Sequence, residues 1–155
     1  MTSTNPASSI PARQRWMSVM AKADWTDLKS AWDHCGHQPA FSLLRKPESG
    51  LVMVEGRMGG TGAPFNLGEM TVTRCSVALD NGFTGHAYVM GRNQQHAELA
   101  AICDALMQDP AHHDQLEQAI IAPLAEHHAA GKRQASTKAA ATKVDFFTLV
   151  RGEDE

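Results

Sequence analysis

At 155 residues, 43% hydrophobic and 20% charged, the chain reads as a globular protein large enough to bury one real core but not two. A formal net charge of −3 argues against a dedicated nucleic-acid binder, which needs a basic surplus to collect phosphate contacts. No apolar run approaches the roughly 20 residues that cross a bilayer, and the start, MTSTNPASSIPARQ, lacks an apolar signal-peptide core, so neither a membrane partner nor export is expected.

Residues 1–8, rich in Ser, Thr, Asn and Pro, are expected to form a disordered lead. A single α+β domain is expected over 9–124. Ser9 caps a first helix with Pro11 in its first turn, and Trp16, Val19, Met20 and Ala23 recur on one face. A second short helix spans about 24–35, with Leu28, Ala31, Trp32 and Cys35 on one side and Gly36 ending it. The period then shortens. Residues 40–44 and 51–58 are apolar runs, and Lys46-Pro47-Glu48-Ser49-Gly50 between them reads as a hairpin turn. Residues 69–79 and 83–90 flank Asp80-Asn81-Gly82, a second hairpin. Two hairpins predict a mostly antiparallel four-stranded sheet.

Helical period resumes at Asn93, where Leu99, Ala100, Cys103, Leu106 and Met107 line one face before Pro110. Another helix is expected over 112–121, and Pro123 begins a further one. Residues 125–155 read as a C-terminal helix and arm. The stretch to 144 is rich in Ala and Lys with little to bury, and then VDFFTLVRG turns strongly apolar before an acidic end. Such a segment finds its burial either on another chain or as a terminal strand of its own sheet; Asp145, Phe146, Phe147, Leu149, Val150 and Arg151 are the partner-binding candidates.

Chemistry is sparse. The EGRMGGTG stretch resembles a phosphate loop, but a Walker A loop needs a lysine and a following helix, and the dinucleotide fingerprint also requires that helix. Neither is present. What survives is a small anion nest at Gly59, Gly60, Thr61 and Gly62, with Arg57 beside it and Arg74 and Arg92 near other strand ends. Cys35, Cys75 and Cys103 contain no CxxC pair, which fits buried thiols in a reducing cytoplasm. His34 and His37 straddle a helix end, and the His112-His113 and His127-His128 pairs diverge by about 100° on a helix, so no metal site is expected. His96 and Glu98 are the weak catalytic candidates; their spacing fails HExxH, and no complete catalytic set forms.

Several stretches taken together point to one family: RQRWM at 13–17, RMGGTG at 57–62, GEMTVTR at 68–74, and Gly91-Arg92 with His96-Ala97-Glu98. DALMQ at 104–108, IAPL at 121–124 and the segment 144–152 complete the series. From about residue 12 to residue 152 the chain resembles the G subunit of the bacterial carbon–phosphorus lyase system, PhnG. The resemblance implies membership of a core complex with H, I and J subunits, the I subunit being the nearest expected contact. It further implies that, with the H, I and L proteins, the chain serves to replace the adenine of ATP by a phosphonate. This chain is expected to bind no cofactor itself; the complex uses ATP with Mg, and an iron–sulfur cluster belongs to the J subunit. Three hypotheses follow: a non-catalytic obligate subunit, a direct contributor of anion-binding residues to a shared pocket, and a free-standing histidine-based metal hydrolase. Nucleic-acid binding is the weakest rival, because Lys132, Arg133, Lys138 and Lys143 make only a short basic patch.

Overall fold

The computed structural model describes residues 9–141, so the N-terminal lead at 1–8 and the arm candidates Asp145, Phe146, Phe147, Leu149, Val150 and Arg151 lie outside the described residues. The architecture is α+β. Helices α1 (Ile10–Lys22) and α2 (Trp25–Cys35) precede an antiparallel sheet of β1 (Phe41–Arg57), β2 (Pro64–Leu79) and β3 (Thr84–Met90), and helices α3 (Gln94–Met107), α4 (Pro110–Leu116) and α5 (Ala122–Ala141) follow.

The local signals act as anticipated at the helix ends. Ser9 Oγ accepts from the Ala12 amide at 3.3 Å, and Asn93 Oδ1 accepts from the His96 amide at 3.0 Å, each satisfying an orphan first-turn donor. Gly36 ends α2 at φ 67°, the left-handed conformation a side chain disfavours. Gly82 at φ 93° closes the Asp80-Asn81-Gly82 hairpin, with the Leu79 amide donating to the Phe83 carbonyl at 2.8 Å.

The sheet has three strands, in the order β1-β2-β3, rather than the four expected. Lys46–Gly50 is no turn. The chain runs straight through it as one edge strand, with register shifts between Leu43 and Arg45 and between Arg45 and Glu48. Pro47 lacks an N–H, but an edge strand has an open side, and a bulge tolerates a missing ladder donor. A Pro and a Gly thus mark an irregular edge here. The two expected apolar runs are two halves of β1.

A second difference lies after α4. The expected separate helices join through a π turn, Glu117–Ile121, in which the Ala122 amide donates to the Glu117 carbonyl. Pro123 follows directly; its ring and missing N–H cannot fit an uninterrupted α-helical ladder, and the wider turn absorbs the misfit.

The core lies between the helices and one face of the sheet. Trp16, Met20 and Leu28 meet Cys75, Val77 and Val89 and the apolar side of α3, with Leu116, Ile120 and Ile121 closing it. Along β2 the odd positions Thr73, Cys75, Val77 and Leu79 are buried, so the even positions point to the opposite, helix-free face. Gly85 lets α3 approach β3: a Cβ there would sit 1.9 Å from the Ala101 carbonyl oxygen. Burial on α5 ends early. Leu124 is buried, and every described residue from 130 onward is exposed.

Candidate functional site

The glycine stretch forms the tip of a long two-stranded arm. β3 stops at Met90, paired with Val72, while β1 and β2 continue together to Arg57 paired with Pro64. Met58–Gly60 makes a single 3-10 turn at the tip, with Gly59 at φ 61° and Gly60 at φ 81°. The Thr61 and Gly62 amides both donate to the Met58 carbonyl, the latter at 2.9 Å. Two of the amides that an anion nest would need are therefore turned inward. Arg57 Nη1 donates to the Gly62 carbonyl at 3.2 Å, bracing the same turn.

Arg74 lies far from that tip. Ten residues of extended strand separate it from Pro64, about 33 Å. Its Nε donates to Glu48 Oε1 at 2.6 Å, and Arg45 Nη1 reaches the same oxygen at 2.6 Å. Those bonds from Arg45 and Arg74 hold the Glu48 carboxyl below its usual range, and the Tyr88 hydroxyl, followed by Glu48, pushes Arg74 upward. In this cluster on the helix-free face one carboxylate is shared by two guanidinium groups. Arg92 is exposed beside the start of α3. The fold does not draw Arg57 and Arg74 into one pocket.

His96 and Glu98 sit two residues apart on α3, about 200° around the helix, and do not share a face. His96 is 6% exposed; its Nε2 donates to the Met20 carbonyl at 2.8 Å, and its ring lies 6.1 Å from that of Trp25. This histidine ties α3 to the end of α1. Glu98 instead borders a shallow groove with Trp25, Trp32, Leu99 and Ile102.

The remaining histidines are mostly engaged singly. His34 Nδ1 meets the Ser30 carbonyl, His113 Nδ1 the Met107 carbonyl, and His86 Nδ1 the Ser76 hydroxyl. His112 pairs with Asp109 at 3.1 Å and His127 with Asp27 at 2.9 Å. The Asp109 carboxyl is held below its usual range, first by the Ala111 amide it caps and then by His112. Among the described residues, no group of three or more His, Cys, Asp or Glu side chains is placed to hold a metal ion. Burial pushes the Cys75 thiol up to about 11, with the Glu98 charge adding to it, and Cys103 is raised further by burial. These thiols are poor nucleophiles.

Two features escaped the sequence reading. One is Asp104, fully buried within α3. Its Oδ1 accepts from Trp16 Nε1 at 2.8 Å and Arg13 Nε at 3.2 Å, and its Oδ2 accepts from Arg13 Nη2 at 2.7 Å and the His86 amide at 2.9 Å. It joins α1, α3 and β3 at one point. A carboxylate inside the apolar run AAICDALM was the available signal, since a buried charge requires partners. The other is the apolar character of the arm: Leu51, Met53, Met58 and Leu67 are each more than 60% exposed.

Residues 11–152 match the family model described as phosphonate metabolism protein PhnG. The chain is 44% identical over 151 residues to the α-D-ribose 1-methylphosphonate 5-triphosphate synthase subunit PhnG of Rhizobium meliloti (strain 1021), spanning 97% of this chain and 96% of that protein.

Proposed function

The chain belongs to the PhnG family of phosphonate metabolism proteins, and from that membership we propose that it is the G subunit of an α-D-ribose 1-methylphosphonate 5-triphosphate synthase, acting within an assembly rather than alone. The reaction exchanges the adenine of ATP for a phosphonate, releasing adenine. The observation that carries this reading is the near full-length identity to a protein that is itself named as a subunit. The engaged state of His96 and the dispersal of Arg57 and Arg74 support the view that the reacting groups come from other chains. The partners in this reading are the H, I and J subunits, with the L protein joining for the reaction.

Reconstitution tests it. ATP and methylphosphonate are incubated with the H, I and L proteins, with and without this chain; adenine is followed by chromatography and the phosphonate ester by phosphorus NMR. Product is expected only with the chain present, and none from the chain alone. Adenine release by the isolated chain, or undiminished turnover in its absence, refutes the reading.

A direct contribution to a shared pocket is the second reading, favoured by the exposure of Arg57 at the arm tip and of Arg92 beside α3, where each is open to a neighbouring subunit. Losing one charge-assisted contact to phosphate costs about 1.5–3 kcal/mol. Arg57→Ala or Arg92→Ala should then slow the reconstituted reaction roughly tenfold or more while the complex still assembles.

A further inference from the structure

Two register shifts in β1 bracket Arg45. From Leu43 to Arg45 β1 advances two residues while β2 moves one, and from Arg45 to Glu48 it advances three while β2 moves two. In a regular strand, residues three apart point to opposite faces. The Lys46-Pro47 bulge cancels that alternation. Arg45 comes to lie opposite Ser76 and Glu48 opposite Arg74, so both join the helix-free face. The bulged backbone is tied to the core: Cys75 Sγ donates to the Arg45 carbonyl at 3.4 Å, and the Ser49 and Thr73 hydroxyls meet at 2.9 Å. On β3, Tyr88 stands opposite Arg74 and His86 opposite Ser76. A groove of ≈ 280 Å³ borders the cluster, lined by Glu48, Arg74 and Tyr88 together with Val52 and Val72.

Stability gives little reason for this arrangement. Lys46 and Pro47 already blunt the edge, and ion pairs between half-exposed side chains add little to a fold. What the bulge achieves is convergence. Arg45 Nη1 and Arg74 Nε meet at one oxygen of Glu48, each at 2.6 Å. Two guanidiniums against one carboxylate leave a positive charge over, and each planar fork gives Glu48 only one of its N–H donors. We propose that Arg45 and Arg74, with the Tyr88 hydroxyl, form a binding site for a phosphoryl or phosphonyl oxyanion, and that Glu48 holds the two guanidiniums together until the ligand displaces it. The class of ligand rests on the subunit reading above, in which both substrates carry such groups. A tetrahedral oxyanion presents several acceptor oxygens, enough to bridge two guanidinium forks, whereas Glu48 meets both through a single oxygen.

The test titrates the full chain with methylphosphonate, tripolyphosphate and inorganic phosphate, following the arginine Nε–H signals by nitrogen-15 NMR. The Arg45 and Arg74 signals should shift saturably. Arg45→Met and Arg74→Met should each weaken binding at least about tenfold, the scale of losing one charge-assisted contact, while melting within about 2 °C of the unsubstituted chain. Arg133→Met on α5 serves as control and should change nothing. Glu48→Gln should tighten binding about threefold or more, because it removes a competing negative charge; a cluster that only braces the edge strand gains no affinity from that change. The tightest of the three probes names the source of the group, and equal affinity for all three assigns the site to the phosphoryl oxyanion itself. Absence of a saturable shift overturns the proposal, as does weaker binding by Glu48→Gln or an equal loss with Arg133→Met. Failure of all three probes, with assembly onto the H, I and J subunits broken by Arg45→Met or Arg74→Met, gives the patch to a carboxylate of a partner and also overturns it. The titration involves no other subunit, so its failure is distinct from a failure of the reconstitution that tests the subunit reading.

Discussion

Asp104→Asn probes the deepest polar commitment in the molecule. The carboxylate is fully buried and accepts four hydrogen bonds, two on each oxygen. An amide accepts through one oxygen only. In its better orientation the asparagine keeps Trp16 Nε1 and Arg13 Nε, and turns an NH₂ toward Arg13 Nη2 and the His86 amide. Two bonds to a charged acceptor disappear, each worth about 1.5–2 kcal/mol, for a loss of about 3–4 kcal/mol. For a domain of this size each kcal/mol moves the midpoint by about 2–4 °C, so Tm should fall by about 6–16 °C in a circular-dichroism melt. Arg13→Met removes the charge partner but leaves the Trp16 and His86 donors, and its loss should be non-additive with that of Asp104→Asn by about 1 kcal/mol or more. A Tm change below about 2 °C for Asp104→Asn, or simple additivity in the double variant, would refute the account of this network.

Gly85→Ala places a Cβ 1.9 Å from the Ala101 carbonyl oxygen, and should destabilise by about 3 kcal/mol or more in urea titration; a shift within 0.5 kcal/mol would show that α3 yields freely. His96→Ala removes the bond to the Met20 carbonyl and should cost about 1–2 kcal/mol, with turnover of the assembled complex falling only as folded protein is lost. A hundredfold drop in turnover at unchanged Tm would instead make His96 a reacting group. At pH 8, an alkylating reagent should label half-exposed Cys35 well before Cys75, which burial holds protonated up to about 11. The same shift makes the fold less stable in alkali. Unfolded thiols ionise near 8.5 and Cys75 near 11, so between those values the unfolded chain binds fewer protons and unfolding gains as pH rises. Stability that stays flat from pH 8.5 to 11 would contradict this.

Much of the local structure was legible because it depends on local chemistry. Ser9 and Gly36 act within three or four residues of themselves, so that cap and that helix end could be read directly. The Pro47-Glu48-Ser49-Gly50 segment could not. The same residues serve a turn or a bulged edge strand, and only the register of β2, with Glu48 opposite Arg74, selects the second. Similarly, His96 and Glu98 look like a reactive pair on paper, but packing sends the histidine to Met20 and the glutamate to a surface groove.

The amino-acid order by itself determined the class of fold, the start of α1, the end of α2, the absence of a nucleotide-binding loop motif and the family resemblance. The first four rest on periodicity, end chemistry and short spacings, and the resemblance on a series of short motifs in a fixed order. Tertiary structure decided the rest: that β1 is one strand, that Asp104 gathers donors from α1 and β3, and that EGRMGGTG is the tip of an apolar arm. Those outcomes depend on partners up to 91 residues apart, Arg13 and Asp104 being the clearest case, and such distances leave no periodic trace in the sequence. The glycines at the tip set a turn; the length of two-stranded ribbon beyond the end of β3 is what turns that turn into an arm.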